Sequence, residues 1–571
     1  MPRIVLPVTS RGLVITDRLC WGILGAAMAL AAGLILYLNR GTTFFLDELV
    51  LLADSPTLGA DDVLEPYNGH LIATHRLLYK AILETIGPSY LPFRLVGASA
   101  VLLAGGLFFA LAKRRIGALP ALAPTLVLLF FGSADWYVGT PLGLTPLLSI
   151  IAGLGALLAL ERGDLVGDAA ACALLAFSVA SFSIGLAFLV GVAISVLMRP
   201  DRRQRAWIFL LPLALYAAWY LWAADSLHSP ENSTKLSNAL LFPSYAADAL
   251  AAATGALAGL DYDFAAGRSD VLPLGWGRVL AVIAVVALIV RIRRGSVPPS
   301  LWVSLGIALT LWASGALAAQ PGRTPDSARF VYAGAVVVLL VATDAARSIR
   351  FSRLGLAALF GVCAVSLATN VALLRDFGAH FRDAYSGPLR AQFAMLELSR
   401  GRVSPDYAPS AHREEIESPV PLPGGRTGAY LRVVDRYGSL GLPLSELERK
   451  SEAVRGVADR TLASALRLHL ERARIGGSAG CSEHRSREPG GPISFELPRG
   501  GASLRARGGA PSPVSLGRFA SSPSAEVGTL APGEGAVLEL PRDSSPRPWI
   551  GSIAGASSVE VCAVSRGAIR G

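Results

Sequence analysis

Residues 19–38 read LCWGILGAAMALAAGLILYL, a run of apolar residues without a single charge. A helix of about 20 such residues crosses the hydrocarbon layer of a bilayer. The run follows Arg3, Arg11 and Arg18, and it is longer than the roughly 7–15 apolar residues of a secretory signal. No clear cleavage site accompanies it. The pattern predicts a first membrane helix that stays in the protein.

Similar blocks continue through the first two thirds of the chain, where they dominate the composition. Hydrophobic residues make up 52% of the chain and charged residues 16%, against about 25% charged in soluble proteins. A longer block, 166–198, should break near Ser181-Phe182-Ser183 into two short helices. The other blocks are 93–112, 117–133, 143–160, 206–224, 273–292, 299–319, 330–346 and 354–374.

Basic residues fall at every second connection between these blocks. Positively charged loops stay on the cytoplasmic side, so the alternation predicts about eleven crossings, a cytoplasmic N-terminus, and an outer location for everything after Leu374. The net charge of +10 is explained by this orientation signal, and we expect a lipid bilayer and no nucleic acid as partner. The clusters are Lys113–Arg115, Arg162, Arg199–Arg205, Arg291–Arg294 and Arg347–Arg353.

The predicted fold is therefore a polytopic α-helical membrane protein with a C-terminal extracytoplasmic α+β domain that ends in a small β-sandwich. Residues 1–375 form the transmembrane domain, with structured outer loops at 39–92 and 225–272, the second containing a helix near 244–259. Residues 376–480 are helical, and 481–571 are rich in β-structure. Short β-like runs separated by Gly, Pro and Ser are found at 493–497, 502–507, 514–519, 536–540 and 559–565.

Two of the five cysteines, Cys481 and Cys562, flank the β-rich region. In an oxidising outer compartment they are candidates for a disulfide. The other three lie in apolar blocks. No CxxC pair and no Cys/His cluster with zinc spacing occurs, so no structural metal site is predicted.

The stretch with the clearest chemical potential is Phe44-Phe45-Leu46-Asp47-Glu48, a few residues beyond the first membrane helix. An acidic pair so close to the membrane surface can meet a lipid-linked substrate, and a carboxylate there can act as general base towards a hydroxyl. The alternative is a solvated helix start, where Asp47 or Glu48 favours the helix N-terminus.

The first outer loop continues with Glu65-Pro66-Tyr67-Asn68-Gly69-His70 and then Arg76. Pro66 and Gly69 predict a turn, and Asn68, His70 and Arg76 are candidate substrate-binding residues, because histidine exchanges protons near neutral pH. The alternative is a junction between loop and helix whose polar groups cap the backbone.

Three further candidates lie on later outer loops. Asp135 is a possible second catalytic acid, beside Trp136 and Tyr137, which are more typical of interfacial anchors. Arg329 and Tyr332 open a late helix, and an arginine at the outer surface can bind a phosphate. The alternative for Arg329 is contact with lipid head groups.

Other signatures are missing from the sequence. No Walker loop, dinucleotide fingerprint, HExxH or GxSxG motif occurs. No charged residue falls in the middle of a predicted span, which argues against an ion or proton pump.

A first helix, a long outer loop opening with an acidic pair, about eleven spans and a soluble outer domain together resemble the GT-C superfamily of membrane glycosyltransferases, which includes aminoarabinose transferases and protein mannosyltransferases. The resemblance covers residues 1–375. It implies a polyprenyl-phosphate-linked sugar as donor, Asp47 of the Asp47–Glu48 pair as base, Asp135 as second acid and Arg329 as phosphate ligand. Some members hold a metal near the acids, so a divalent metal is possible here, although none is required.

Other classes stay open. The protein could flip or polymerise a lipid-linked glycan, move a solute, or assemble the cell envelope without catalysis. A transporter should show internal repeats or broken helices around a midplane site, and no repeat is detected. The acceptor is left open among glycan, lipid and protein.

Overall fold

The computed structural model describes residues 5–6, 13–14, 16–227, 235–261, 271–347, 349–409, 425–473, 480–486, 488, 491–541 and 547–563. Helices dominate as far as residue 465, and the C-terminal part is built from strands. The helices are α1 Asp17–Leu38, α2 Asp47–Asp54, α3 Ala60–Leu64, α4 Ala73–Ile86, α5 Tyr90–Ile116, α6 Ala118–Leu129, α7 Asp135–Gly139, α8 Leu144–Leu160, α9 Leu165–Ser181, α10 Ile184–Leu197, α11 Arg202–Arg205, α12 Trp207–Trp222, α13 Ala224–Leu227, α14 Phe242–Ala258, α15 Gly275–Arg293, α16 Pro299–Leu317, α17 Ala328–Ala345, α18 Arg353–His380, α19 Gly387–Leu398, α20 Thr427–Tyr437, α21 Leu444–Leu447 and α22 Glu452–Ala465. Short 3-10 turns cover Gly132–Ala134, Pro141–Gly143 and Leu236–Leu241, and a π-helical segment covers Phe381–Ser386.

The strands are β1 Val5–Leu6, β2 Leu13–Val14, β3 Glu471–Arg472, β4 Cys481–Arg485, β5 Ile493–Glu496, β6 Gly501–Arg507, β7 Ser512–Gly517, β8 Ala525–Leu530, β9 Gly535–Glu539, β10 Ile550–Ile553 and β11 Ser558–Ala563. Strands β1 and β2 pair with each other. Each of the five predicted strands corresponds to an observed one, although the last two residues of 559–565 lie outside the described part of the chain.

Many helices are long and apolar enough to cross a membrane, which agrees with a polytopic membrane protein. In the described part of the chain ten segments meet this standard by length and composition. The block 166–198 is divided between α9 and α10, with the break at Phe182 and Ser183, as predicted. The ten segments are Asp17–Leu38, Tyr90–Ile116, Ala118–Gly139, Pro141–Leu160, Arg202–Trp222, Leu236–Ala258, Gly275–Arg293, Pro299–Leu317, Ala328–Ala345 and Arg353–Leu398.

The chain divides into two compact units. Unit 1 comprises residues 1–40, 58–82 and 90–380, and unit 2 comprises 41–57, 83–89 and 381–571. The unit boundaries differ from the simple division near residue 375 expected from the sequence, because two pieces of the first outer loop pack with the tail.

Ion pairs join one set of helix ends within unit 1. Lys113 at the end of α5 contacts Asp17 at the start of α1 at 2.9 Å. Arg115 pairs with Asp344 at the end of α17 at 2.8 Å. Arg205, just before α12, pairs with Asp168 in the first turn of α9. The ends of α5 and α17 therefore lie beside the start of α1, and the starts of α9 and α12 lie beside each other; both groups carry basic residues that the sequence predicts to be cytoplasmic.

Helix α14 contacts neighbouring helices at the ends that carry no basic cluster. The Asn238 amide, just before α14, donates to the carbonyl oxygen of Ala319, beyond the end of α16, at 3.0 Å. The Thr254 hydroxyl, near the other end of α14, lies 3.1 Å from the carbonyl oxygen of Gly277, in the first turn of α15. Gly334, in the second turn of α17, faces Ala253. Both ends of α14 thus lie near helix ends that the arginine pattern assigns to the outer side.

Unit 2 contains helices α2 and α19–α22 and a β-sandwich. Its two antiparallel sheets have the strand orders β5-β10-β7-β8 and β3-β9-β6-β11-β4. Alternating residues of both sheets enter a common apolar core together with side chains of α19 and α22. Burial of this core supplies the main stabilisation of the unit.

A buried carboxylate connects helix and sheet in unit 2. The Asp459 side chain in α22 accepts hydrogen bonds from the backbone N–H groups of Arg518, Phe519 and Ala520, at 2.9–3.0 Å for the shortest contact of each. These three donors follow β7, and their partner is fully buried. Burial raises the pKa of Asp459 to about 6, against the opposing effect of the three backbone donors.

Candidate functional site

Aromatic contacts within unit 2 hold the segment that leads into the acidic pair Asp47–Glu48. Phe44 and Phe45 are buried. The Phe45 ring lies 5.4 Å from the ring of Phe381 in an edge-to-face contact and 4.7 Å from the ring of Tyr385. Such contacts fix ring positions, so the chain leading into α2 is held in place from a segment more than 300 residues away.

The two acids of the pair have different environments. Leu46 has φ 48° and ψ −120°, a strained conformation for a residue with a side chain. The next residue, Asp47, is the exposed first residue of α2. Glu48 is fully buried and its Oε2 accepts from the backbone N–H of Phe45 at 3.2 Å. Glu48 therefore closes the turn, and Asp47 is the carboxylate that meets solvent.

Asn68 and His70 form a tight turn in unit 1. Tyr67 and His70 exchange backbone hydrogen bonds at 2.9 Å in both directions, and Asn68 and Gly69 between them have φ values of 50° and 81°. Asparagine and glycine tolerate this left-handed region. The turn holds the exposed Asn68 side chain outward and directs His70 towards α9 and α10.

His70 packs onto the break between α9 and α10. Its Nδ1 lies 2.9 Å from the Ser183 hydroxyl, and its ring lies 4.2 Å from the ring of Phe182. Burial and, to a smaller extent, the positive charge of Arg323 together lower the pKa of His70 to about 4. His70 is therefore neutral at pH 7 and can offer a hydrogen bond without carrying charge.

Arg76 and His75 have partners that stabilise the loop. Arg76 is buried and donates to the carbonyl oxygens of Asp62 and Glu65. His75 is hydrogen-bonded to Thr145 and meets Tyr79 edge to face at 4.5 Å. The contacts of Arg76 therefore match the alternative in which polar side chains between the loop and α4 cap the backbone.

Asp135 lies at the start of α7 in unit 1 and is buried. Its Oδ1 accepts from the backbone N–H of Trp136 at 2.7 Å. The Tyr137 ring stacks on the ring of Tyr332, with 6.1 Å between centroids and 6° between planes. Tyr332 is fully buried, so its ring contributes packing at this position.

Arg329 is exposed at the first turn of α17. Its guanidinium carbon lies 5.1 Å from the ring centroid of Phe330. Its positive charge acts electrostatically on Tyr137 and Tyr245. An exposed arginine at this position is suited to an anionic group in solvent or at a lipid head group.

A group of residues that sequence reasoning did not single out lies beside Asp135. Ser133 precedes Asp135 by two residues, and its hydroxyl partly offsets the rise that burial causes in the pKa of the Asp261 carboxyl. The Ser133 hydroxyl and backbone N–H both lie 2.9 Å from Oδ1 of Asn370 in α18. The partners are more than 100 residues apart, so no local pattern indicates the contact.

The structure thus distributes the candidate residues over the two units. Unit 2 contains Asp47 and Glu48, of which Asp47 is exposed. Unit 1 contains the remaining candidates, which are Asn68, His70, Arg76, Asp135, Arg329 and Tyr332.

Cys481 and Cys562 form a disulfide. They are directly opposite each other on the neighbouring strands β4 and β11. Among the described residues, one group of metal-ligating side chains is close enough to hold an ion, and it consists of these two cysteines and Glu560. Because both sulfurs are bonded in the disulfide, the group offers a metal ion one carboxylate, that of Glu560.

No protein-family model matches the sequence, and no curated protein matches it. The structure is similar to ArnT from Cupriavidus metallidurans bound to undecaprenyl phosphate, with 13% identity, a TM-score of 0.44, and coverage of 70% of this chain and 85% of that one. Apo ArnT from the same organism is 12% identical, with a TM-score of 0.46 and coverage of 80% of this chain and 96% of that one. The arabinosyltransferase EmbB from Mycobacterium smegmatis is 12% identical, with a TM-score of 0.35 and coverage of 96% of this chain and 66% of that one. The likeness assigns no residue of this chain a role.

Proposed function

We propose that this protein is a membrane glycosyltransferase that moves a sugar from a polyprenyl-phosphate donor to an acceptor on the outer face of the membrane. The observation that carries the proposal is the environment of Asp47. A strained leucine precedes it, Glu48 beside it accepts a backbone hydrogen bond, and Asp47 is exposed in the segment that follows α1. Backbone strain is concentrated at functional sites.

The segments that make up unit 2 support the proposal that the first loop and the tail lie on the same side of the membrane. Residues 41–57 pack in the same unit as the tail, so an even number of crossings should separate them. Ten apolar helices in the described chain between these segments satisfy this condition if α14 does not cross. They are α5, α6, α8, α9, α10, α12, α15, α16, α17 and α18. With α1 the total is eleven, and the contacts of α14 with outer helix ends favour a helix that lies along the surface.

The charge pattern supports the proposed orientation. The helix ends joined by Lys113, Arg115 and Arg205 carry the basic clusters, and positive loops remain cytoplasmic. The first outer loop and the tail then lie outside the cell membrane. A lipid-linked donor is then presented on the same side of the membrane as Asp47.

The proposed reaction is a direct displacement at the anomeric carbon. Asp47 takes the proton of the acceptor hydroxyl as the oxygen bonds to the anomeric carbon. The bond from that carbon to the phosphate oxygen breaks, and its electron pair leaves with the polyprenyl phosphate. The family resemblance assigns the offsetting of the phosphate charge to Arg329 and the role of second acid to Asp135. The reaction needs no metal, although a divalent cation beside an exposed carboxylate is compatible with it.

Two neutral groups of the first loop are the proposed sugar ligands. Asn68 is exposed at the tip of its turn, and His70 is uncharged at neutral pH. Both can form hydrogen bonds with sugar hydroxyls without attracting counterions. Arg76 supports them by holding the carbonyl oxygens of the same loop.

The test is Asp47→Asn in the full-length protein, with Asp54→Asn at the other end of α2 as control. Membranes containing each variant are supplied with a labelled polyprenyl-phosphate sugar fraction extracted from the host, and label in the acceptor fraction is followed. We expect Asp47→Asn to lose about 100-fold or more of the transfer rate, and Asp54→Asn to match the unaltered protein. Retained transfer by Asp47→Asn at normal membrane levels would remove the proposed base.

A further inference from the structure

The segment 41–45, which connects α1 to α2, contacts the π-helical segment Phe381–Ser386 at every second residue. Both segments belong to unit 2. The contacting pairs are Gly41 with Arg382, Thr43 with Ser386, and Phe45 with both Phe381 and Tyr385. Contacts spaced in this way hold the short connection along its whole length.

Ser386 supplies a hydrogen bond to the backbone of this connection. Its Oγ accepts from the N–H of Thr43 at 3.2 Å, and both residues are buried. Since a buried backbone N–H needs an acceptor, the hydroxyl fixes the path of the chain two residues before Phe45.

The π-helical geometry explains how one short segment can make all these contacts. In a π-helix the backbone hydrogen bonds join residues five apart, so Phe381 and Ser386 lie one turn apart. In an α-helix of 3.6 residues per turn, Ser386 would lie about 140° around the axis from Phe381. The hydroxyl and the ring could then not serve the same connection. Single π-helical turns of this kind are frequent at functional sites.

The β-sandwich supports the π-helical segment from the other side. A Cβ at Gly387, the next residue of the chain, would lie 3.2 Å from Cγ2 of Val454 in α22. Val454 is buried in the apolar core that α22 shares with the two sheets. Packing contacts therefore continue from the sandwich core through α22 to the π-helical segment, and from there to the segment 41–45.

The connection ends at the strained Leu46, and Asp47 follows it. A conformation such as that of Leu46, with φ 48° and ψ −120°, persists only where the surroundings enforce it. The neighbouring Phe45 is held by its ring contacts, and its N–H donates to Glu48. The place of the Asp47 carboxylate therefore depends on how firmly Phe45 is held.

We propose that Ser386 is a positioning residue of the proposed reaction, which fixes the Asp47 carboxylate through the segment 41–45. The proposal rests on the proposed function and gives the tail a part in the reaction. A misplacement of about 1 Å at a reacting group can cost about 100-fold in rate. Since Ser386 acts through Asp47, its loss should lower kcat and leave donor binding nearly unchanged.

The experiment measures sugar transfer by the full-length protein in membranes, with the labelled polyprenyl-phosphate sugar fraction from the host as the varied substrate. The variants are Ser386→Ala and Phe45→Leu, each alone and combined with Asp47→Glu. The control is Ser399→Ala, because Ser399 is as deeply buried as Ser386 and its hydroxyl donates to the carbonyl oxygen of Leu396 at the far end of α19. Thermal unfolding is recorded for each variant.

We expect Ser386→Ala and Phe45→Leu to lower kcat about tenfold or more, with KM for the donor within about threefold of the unaltered value. Ser399→Ala should match the unaltered protein. In Asp47→Glu the carboxylate is already displaced by one methylene group. Adding Ser386→Ala to that variant should therefore lower kcat by less than about threefold, because the two changes act on the same group and are not additive.

Other results would overturn the positioning role. Unchanged kcat in Ser386→Ala would remove it and leave the proposed function intact, provided that Asp47→Asn still abolishes transfer. Equal losses from Ser386→Ala with Asp47 and with Asp47→Glu, or an equal loss in Ser399→Ala, would mean that the hydroxyl serves folding alone. If Asp47→Asn itself retains transfer, the proposed base fails and the positioning role fails with it.

Discussion

Leu46 adopts a backbone conformation that glycine adopts more easily, immediately before Asp47. We expect Leu46→Gly to be more stable than Leu46→Ala by about 1 kcal/mol, because both lose the leucine side chain while glycine also releases the strain. Denaturant unfolding of the two variants measures the difference. The same two substitutions at Val50, inside α2, are the control, and there alanine should be the more stable by about 1 kcal/mol. Alanine being more stable at both positions would show that Leu46 stores no strain.

His70 provides a second test at the scale of a single residue. Its folded pKa of about 4 lies below the ordinary value of 6.5, so the unfolded chain binds the extra proton between those two pH values. Stability from His70 is therefore complete above about pH 6.5 and is lost as the pH falls towards about 4. Thermal unfolding at about pH 7.5 and about pH 5 should show a larger loss for the unaltered protein than for His70→Gln. Parallel losses would contradict the assignment.

The sequence distinguishes residue types at the site better than their roles. It predicts an acidic pair, but Glu48 is buried against a turn whose aromatic anchor comes from Phe381 and Tyr385. The contact of Ser133 with Asn370 was missed because helix packing brings α18 to Ser133. Both outcomes depend on contacts across more than 100 residues, which a local pattern does not contain.

At the scale of secondary-structure elements, Asp459 connects α22 to the segment after β7. Replacing Asp459 with alanine leaves three buried backbone N–H groups without their acceptor. We expect a loss of about 2–3 kcal/mol in the unfolding free energy of unit 2. Limited proteolysis and denaturant unfolding of the full-length protein would measure it. Glu526→Ala, at an exposed position of β8, is the control and should change stability by less than about 0.5 kcal/mol.

Elements of strong periodicity were predicted well from the sequence. Membrane helices need about 20 apolar residues, so their positions follow from composition, and the break between α9 and α10 follows from a block too long for one span. Strands β1, β2, β3, β4, β8 and β10 were missed. Strand β4 reads CSEHR and is mostly exposed or half-buried, so it lacks the apolar alternation that reveals a strand.

At the scale of the whole molecule, α14 decides the topology. It is long and apolar enough to cross a membrane, but a crossing would place residues 41–57 and the tail on opposite sides. We expect single cysteines replacing Asn238 and Leu260, on either side of α14, to be labelled by an impermeant reagent added outside intact cells. A cysteine replacing Arg203 should stay unlabelled until the cells are opened. Labelling of only one of the two outer positions would mean that α14 spans the bilayer.

Sugar transfer in sealed vesicles of known orientation tests both the side of the membrane on which the reaction occurs and the role of Asp47 as base. Vesicles that expose the outer face are given the labelled polyprenyl-phosphate sugar fraction, and Asp47→Asn is compared with Asp54→Asn. The account predicts transfer by the unaltered protein and by Asp54→Asn, and a loss of about 100-fold or more for Asp47→Asn. Equal transfer by Asp47→Asn, or transfer confined to vesicles that expose the cytoplasmic face, would contradict it.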